Sequence, residues 1–216
     1  MVPRPVRLLV VLVPGYLVAI AALGPVEGPW RVALSLGVAV AGLAPSACVL
    51  RGRGSARDLG LTAGADPTRA CAGAVLATLP FLAVMLLVKC ALVRPGGACA
   101  GEPILVAPPL WFAAVYALSV VLQEIAARGW LQSDLSRAWP GPSGGARAVV
   151  VASAVFGLLH LHQSTAIAVL SGGFGLLWGE LHRRHRTLLA PVVSHALVGY
   201  SVIALDGWRI LTGTRL

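Results

Sequence analysis

The sequence predicts an all-α membrane protein, a polytopic bundle of about seven transmembrane helices forming a single domain over residues 1–216. Three observations predict it. Of the residues, 57% are hydrophobic and 12% charged, against roughly 45–50% and about 25% in an ordinary soluble domain. Apolar runs of bilayer-crossing length recur along the chain, and the arginines gather between alternate runs. A mean hydropathy of +0.84 is more than a chain this short can cover with a water-facing surface. Disorder, fibrous repeats and a soluble globular enzyme are excluded.

The apolar runs lie at about 8–23, 32–50, 70–93, 108–127, 148–161, 166–181 and 188–205. A crossing helix takes about 20 residues, within a range near 17–25. The runs that start at 148, 166 and 188 are short, so their ends are less sharply set and six or eight spans remain open. A polar break, His160-Leu161-His162-Gln163-Ser164-Thr165, separates two of them. The first run has a competing reading as a cleaved signal peptide, because Arg4 and Arg7 precede it and Ala19-Ile20-Ala21 lies near its end. No long exported domain follows, which favours a span. The interruptions 51–69 and 128–147, rich in Gly, Pro, Ser and Arg, read as aqueous loops.

With the N-terminus inside, twelve of the 17 Lys and Arg residues fall on inner segments: Arg4, Arg7, Arg51, Arg53, Arg57, Arg69, Arg128, Arg137, Arg147, Arg183, Arg184 and Arg186. That is the positive-inside bias. The expectation is an integral protein of the cell membrane with its N-terminus on the inner side. The net charge of +9 would suit nucleic acid only if the basic residues shared one surface. They alternate with spans instead, and aromatics make up only 6%, so the bilayer is the expected partner and nucleic acid is not. Cys90 and Cys99 flank an outer loop and would pair in an oxidising compartment. Cys48 and Cys71 read as packing residues, and the lack of a CxxC pair argues against a cysteine zinc cage.

Ionisable groups at membrane depth carry the functional information, because burying them costs several kcal/mol unless partners or water compensate. Glu124 lies 13 residues before Arg137, His160 lies 13 after Arg147, and His195 lies 9 after Arg186. At about 1.5 Å per residue these are roughly 20, 20 and 14 Å below the inner surface, one layer shared by three helices. Each group also has a plainer reading. Glu124 and Arg128 are spaced to pair along one helix face, and a lone membrane histidine is often a hydrogen-bonded packing residue. His162, two residues from His160, is expected to face elsewhere, at the interface. Glu180 with Arg184, and the run 182–186, read as an interfacial basic patch. Gly141-Pro142-Ser143-Gly144 has the GxSG form of rhomboid-type serine proteases, but Ser143 falls between Arg137 and Arg147 in a surface stretch, so a loop is the better reading. Ser171, Gly175 and Gly179 recur every four residues, which suits close helix packing.

The same residues form a known pattern. Gln123-Glu124-Ile125-Ala126-Ala127-Arg128-Gly129 resembles the EExxxRG motif of the CAAX-protease and bacteriocin-processing (CPBP) family. Phe156-Gly157-Leu158-Leu159-His160 matches its FxxxH motif, and Leu189-Ala190-Pro191-Val192-Val193-Ser194-His195-Ala196 is similar to its third, HxxxN when complete. Together they span residues 123–199, with a CPBP-like core expected over about 108–205; Asp58-Leu59-Gly60-Leu61 also resembles the family. The resemblance implies an intramembrane endopeptidase that cleaves near the C-terminal tail of prenylated proteins or processes bacterial peptides, and so a peptide or protein substrate in the membrane. It implies that Glu124, with Gln123, positions water, that His160 assists proton transfer, that His195 stabilises the oxyanion and that Arg128 holds Glu124. No cofactor is expected. Zinc is the weaker alternative, since only Glu124, His160 and His195 would supply its ligands.

Two positions depart from the pattern. Gln123 stands where the water-activating glutamate belongs, and a carboxamide cannot take a proton at neutral pH. Gly199 stands where the asparagine belongs, which removes a side-chain donor to an oxyanion. The competing function is therefore a pseudoprotease that binds a membrane segment or partner protein without cutting it. A transporter is disfavoured, because no broken-helix pair or inverted half-repeat is evident.

Overall fold

A computed structural model describes residues 56–57, 59–97, 100–207 and 211. The apolar runs 8–23 and 32–50 lie outside the described residues, as does Cys99; Cys90 carries a free thiol. Among the described residues every regular element is helical. They are α1 (Pro67–Val93), α2 (Leu110–Glu124), a π-helical segment (Ile125–Gln132), α3 (Ser133–Ala138), α4 (Gly144–Leu158), α5 (Thr165–His185) and α6 (Leu189–Ala204).

Local chemistry sets the helix starts and stops. Asp66 accepts a hydrogen bond from Arg69 N at 2.8 Å and Pro67 follows it, giving α1 a side-chain cap with proline in its first turn. Ser164 caps α5 in the same way through Ile167 N. At its other end α5 stops at Arg186, which adopts a left-handed backbone (φ 51°). Thr187 then donates to Thr62 O and accepts from Leu189 N, fastening the turn into α6.

Two helices, Pro67–Val93 and the continuous rod Leu110–Ala138, are long and apolar enough to cross a membrane; Gly144–Leu158 and Leu189–Ala204 are apolar but shorter. Their outward side chains are apolar too: Leu76, Leu87, Leu110, Trp111, Leu118 and Val169 are each more than half exposed. A water-facing surface rarely carries a coat of that kind, and a bilayer requires one.

The tightest helix pairing joins α4 to α5, and the next joins α1 to α6. Small residues permit the first: a Cβ at Gly157 would sit 2.7 Å from Ala168 O, and one at Gly175 would sit 3.1 Å from Ser153 Cβ. One core cluster centres on Phe156, Trp178, Leu181 and Val198, the other on Leu59, Trp130, Leu131 and Leu135.

The stretches read as aqueous loops are so only in part: 61–69 and 140–143 are exposed, but other parts are packed. Residues 128–138 continue the α2 rod, and Arg128, Gly129, Trp130, Leu131 and Gln132 are buried. Leu59, within 51–69, is fully buried, and Gly60 O accepts from Leu188 N at 2.8 Å. Composition misled here because glycine and arginine serve packing: a Cβ at Gly129 would lie 2.7 Å from Leu59 O, so only glycine lets the 59–61 turn seat against the rod.

Candidate active site

The π segment begins immediately after Glu124. An i→i+5 backbone pattern widens the helix and is found disproportionately at functional sites. Here Glu124, Arg128 and Gln132, spaced four apart, all lie on the buried side, with side chains no more than 2% exposed. Arg128 Nε sits 3.4 Å from Glu124 Oε2. Arg128 Nη1 reaches Ser153 Oγ at 3.4 Å and Gln132 Oε1 at 3.5 Å, and Gln132 Nε2 donates to Gly179 O at 2.9 Å. The guanidinium also lies 5.6 Å from the Phe156 ring centre. The arginine thus ties the α2 rod to α4 and, through Gln132, to α5.

Glu124 Oε1 faces a different helix. It accepts a hydrogen bond from His195 Nδ1 on α6 at 2.8 Å. Carboxylate oxygens only accept, so the hydrogen is on Nδ1 and Nε2 of a neutral ring carries the lone pair. Trp178 lies flat on the same imidazole, with ring centres 3.8 Å apart and planes 15° from parallel. Trp178 Nε1 donates to Ser194 Oγ at 3.1 Å, Ser194 donates to Thr78 Oγ1 at 2.7 Å, and Thr78 donates to Ala74 O at 2.6 Å. Three helices therefore fix the plane and tautomer of one ring. The sequence reading missed Trp178, Ser194 and Thr78, whose only signal was polar atoms inside apolar runs.

His160 occupies the turn after α4, where its Nδ1 donates to Phe156 O at 2.7 Å. Its Nε2 is likewise the lone-pair atom. The Phe156 ring touches both imidazoles, with centres 4.5 Å from His160 and 5.8 Å from His195, and the two histidines lie within electrostatic reach of each other. The structure therefore brings Glu124, Arg128, His160 and His195 to one locality. Gln123 is held by its own helix, its Nε2 donating to Ser119 Oγ at 2.7 Å.

Hydrogen-bonding capacity left unused by the protein concentrates here. Gln123 Oε1, Glu124 Oε2, Arg128 Nε and Arg128 Nη2 are buried without a hydrogen-bond partner, and outside this group the described residues add only Lys89 Nζ. Such atoms are rare in native interiors unless water or a ligand meets them. The donor set fits a metal poorly: Glu124 Oε1 and His195 Nδ1 bind each other, and among the described residues no three His, Cys, Asp or Glu side chains converge as ligands.

Two neighbours differ from expectation. His162 is buried rather than turned outward, its Nδ1 on Leu159 O at 2.9 Å and its ring stacked beside His160. The helix ends at Leu158, so the spacing of two no longer sends the rings to opposite faces. His182, read as part of a basic surface patch, is buried and bonds Thr187 O at 3.2 Å, facing Ser133. Ser143 sits exposed at the start of α4.

No curated protein and no solved structure gives a significant match to the chain. Residues 105–201 match the family model described as Rce1-like, type II CAAX prenyl endopeptidase Rce1-like. That segment runs from just before α2 nearly to the end of α6 and contains all three motifs with Gln123, Glu124, Arg128, His160 and His195. Over residues 105–201 the chain is thus similar to the CAAX-type (CPBP) membrane proteases.

Proposed function

We propose that the protein is an intramembrane endopeptidase of the CPBP glutamic type, cleaving membrane-anchored or hydrophobic peptides with a water molecule it activates itself. The observation that carries this reading is the 2.8 Å Glu124–His195 bond among unused polar atoms. The attacking water directs one hydrogen to Glu124 Oε2, with Gln123 Oε1 and His160 Nε2 as neighbouring acceptors that share it, and the other to His195 Nε2. In place of the oxyanion role that the resemblance implies for it, His195 takes the proton on Nε2, because the carboxylate on the far side of that ring offsets the imidazolium that forms. The water oxygen bonds to the peptide carbonyl carbon and the carbonyl electron pair moves onto oxygen. When this intermediate collapses the C–N bond breaks, and His195 Nε2 returns its proton to the leaving nitrogen. Glu124 thus acts on water directly and through His195, while Arg128 holds the carboxylate.

In this reading the apolar runs 8–23 and 32–50 join the five described helical rods to make seven spans of one domain in the cell membrane, with the N-terminus inside. The substrate reaches the site through lipid. No metal takes part in a step, and cleavage is expected to persist in EDTA. Purified protein in detergent or liposomes, offered a library of hydrophobic peptides that includes farnesylated C-terminal tetrapeptides, is expected to cut a subset. His160→Ala and His195→Ala are each expected to abolish the cut, and cleavage that survives both refutes the reading.

A second reading, a pseudoprotease that holds a membrane segment or partner protein, is favoured by Gln123, whose carboxamide takes no proton. Gln123→Glu separates the two. Under the enzyme reading the natural chain already cleaves; if only the glutamate variant cleaves, the natural chain is a binder.

A further inference from the structure

We infer that the Tyr116 hydroxyl is the group that donates to the carbonyl oxygen of the bond being cut, an inference that rests on the hydrolase reading above. Hydrolysis places negative charge on that oxygen, and a buried site needs a donor aimed at it. Among the side chains described so far the unused donors are Arg128 Nε and Nη2, and these are turned to Glu124 Oε2 and to Gly175. His195 and His160 both spend Nδ1–H on protein acceptors, Glu124 Oε1 and Phe156 O. Gln123 turns its amide nitrogen to Ser119, and Arg128 directs its terminal nitrogens toward Gln132, Ser153 and Gly175.

Tyr116 supplies the missing donor from the outer side of the same helix. A Cβ built on Gly199 would overlap Tyr116 Oη and Cζ, so the phenol fills the volume of an absent side chain at 199. Gly199 follows His195 by four residues on α6, one turn along the same face. The hydroxyl therefore enters a notch in the wall that carries His195. On α2, Tyr116 precedes Gln123 by seven residues, about two turns, and so shares its face. Glu124 lies within electrostatic reach of the phenol.

The ring is braced for such a task. It stacks on Phe112 with planes 7° from parallel and meets Tyr200 edge-on, with centres 5.3 Å apart. Tyr200 is itself anchored through its hydroxyl to Ala113 O at 2.6 Å. None of the hydrogen bonds among the described residues uses the Tyr116 hydroxyl, which keeps its hydrogen for a bound carbonyl. Glycine at 199 thus gives up one donor and admits another from the neighbouring helix.

The test uses the full-length protein in detergent with quenched fluorescent peptides, farnesylated and unmodified. Tyr116→Phe, which removes one oxygen, is expected to lower kcat by about 10²–10³ with KM unchanged. Tyr116→Ala is expected to be at least as slow, and adding Gly199→Asn to it is expected to restore turnover by placing an amide donor in the vacated notch. Wild-type kcat in Tyr116→Phe overturns the inference and leaves the hydrolase reading standing. So does a loss confined to KM, which marks a packing role, or an absence of any gain from Gly199→Asn in the Tyr116→Ala background. A wild type that cuts none of the peptides overturns the hydrolase reading and this inference with it.

Discussion

Among the described residues two glutamate–arginine pairs share the i, i+4 spacing, and their surroundings are opposite. Glu180 grips Arg183 and Arg184 at 2.6–2.7 Å near the polar end of α5, with all three side chains in contact with solvent. Glu124 meets Arg128 at a looser 3.4 Å, with both side chains fully buried, and places its other oxygen on His195. The exposed pair satisfies itself. The buried pair is shared between partners and leaves Glu124 Oε2 and two arginine nitrogens unused. Spacing alone does not distinguish a solvated pair from a buried one; the distinction comes from what the other helices bring against it.

Removing the buried carboxylate should therefore have the largest effect. Glu124→Ala strands Arg128 in a dry interior and is expected to cost about 3–5 kcal/mol, the usual consequence of orphaning one member of a buried pair. Thermal unfolding in detergent checks the stability, and peptide turnover should vanish with it. Glu124→Gln keeps the shape and much of the fold. It is expected to lose about 10²–10⁴ in kcat, because a carboxamide cannot offset an imidazolium at His195. A Glu124→Gln protein that turns over at the wild-type rate would reduce the buried pair to the same standing as the exposed one.

His160 sharpens the contrast. It is bound only to the carbonyl of its own chain four residues back, whereas His195 is held by Glu124 and Trp178 from two other elements. His160→Ala is expected to lower stability by only about 0.5–1.5 kcal/mol, the worth of one hydrogen bond, while still abolishing cleavage. Trp178→Phe should fall below both in its effect on activity. It retains most of the stacking on His195 but leaves Ser194 without its donor, for about 1–3 kcal/mol. The expected kinetic signature is a roughly tenfold fall in kcat with KM unchanged, as a ring loses orientation rather than chemistry. Equal falls in kcat for Trp178→Phe and His160→Ala would show that positioning and proton transfer are not separable here.

Much of this was legible in the sequence, and the remainder failed for a definable reason. Hydropathy placed the runs 70–93, 148–161, 166–181 and 188–205 within a few residues of α1, α4, α5 and α6. Counting back to the inner arginines put Glu124, His160 and His195 at similar depth, and they do share one locality. Depth along a helix follows from the sequence, but direction around it does not, because a lipid-facing side can be as apolar as a packed one. Trp178 and Tyr116 consequently looked like ordinary apolar-run residues. His162 and His182 were read outward from their neighbours' polarity, although a helix end and an inter-helix junction bury them. The π segment left no signature, since its residues, Ile125–Gln132, are those an α-helix would accept. Gly129 was visible as a motif letter, but its purpose, clearance for Leu59 O, appears only once the 59–61 turn is seated.

The exposed pair supplies the smallest expected effect and the cleanest control. The hydrogen bond from Arg183 pulls the Glu180 carboxyl from its ordinary 4.5 to about 2, with Arg184 adding to the pull. A lowered folded value means that the pair's stabilisation is fully present above about pH 4.5 and is lost as the pH falls through about 2. Glu180→Gln is therefore expected to shift stability by no more than about 0.2–1 kcal/mol between pH 5 and 8, as exposed pairs do. The shift should shrink in high salt, where solvent-facing charges are screened, and cleavage should be unaffected. Melting temperatures of the two proteins should converge as the pH approaches 2. A salt-independent loss of several kcal/mol would mean that this carboxylate, like Glu124, is shielded from water.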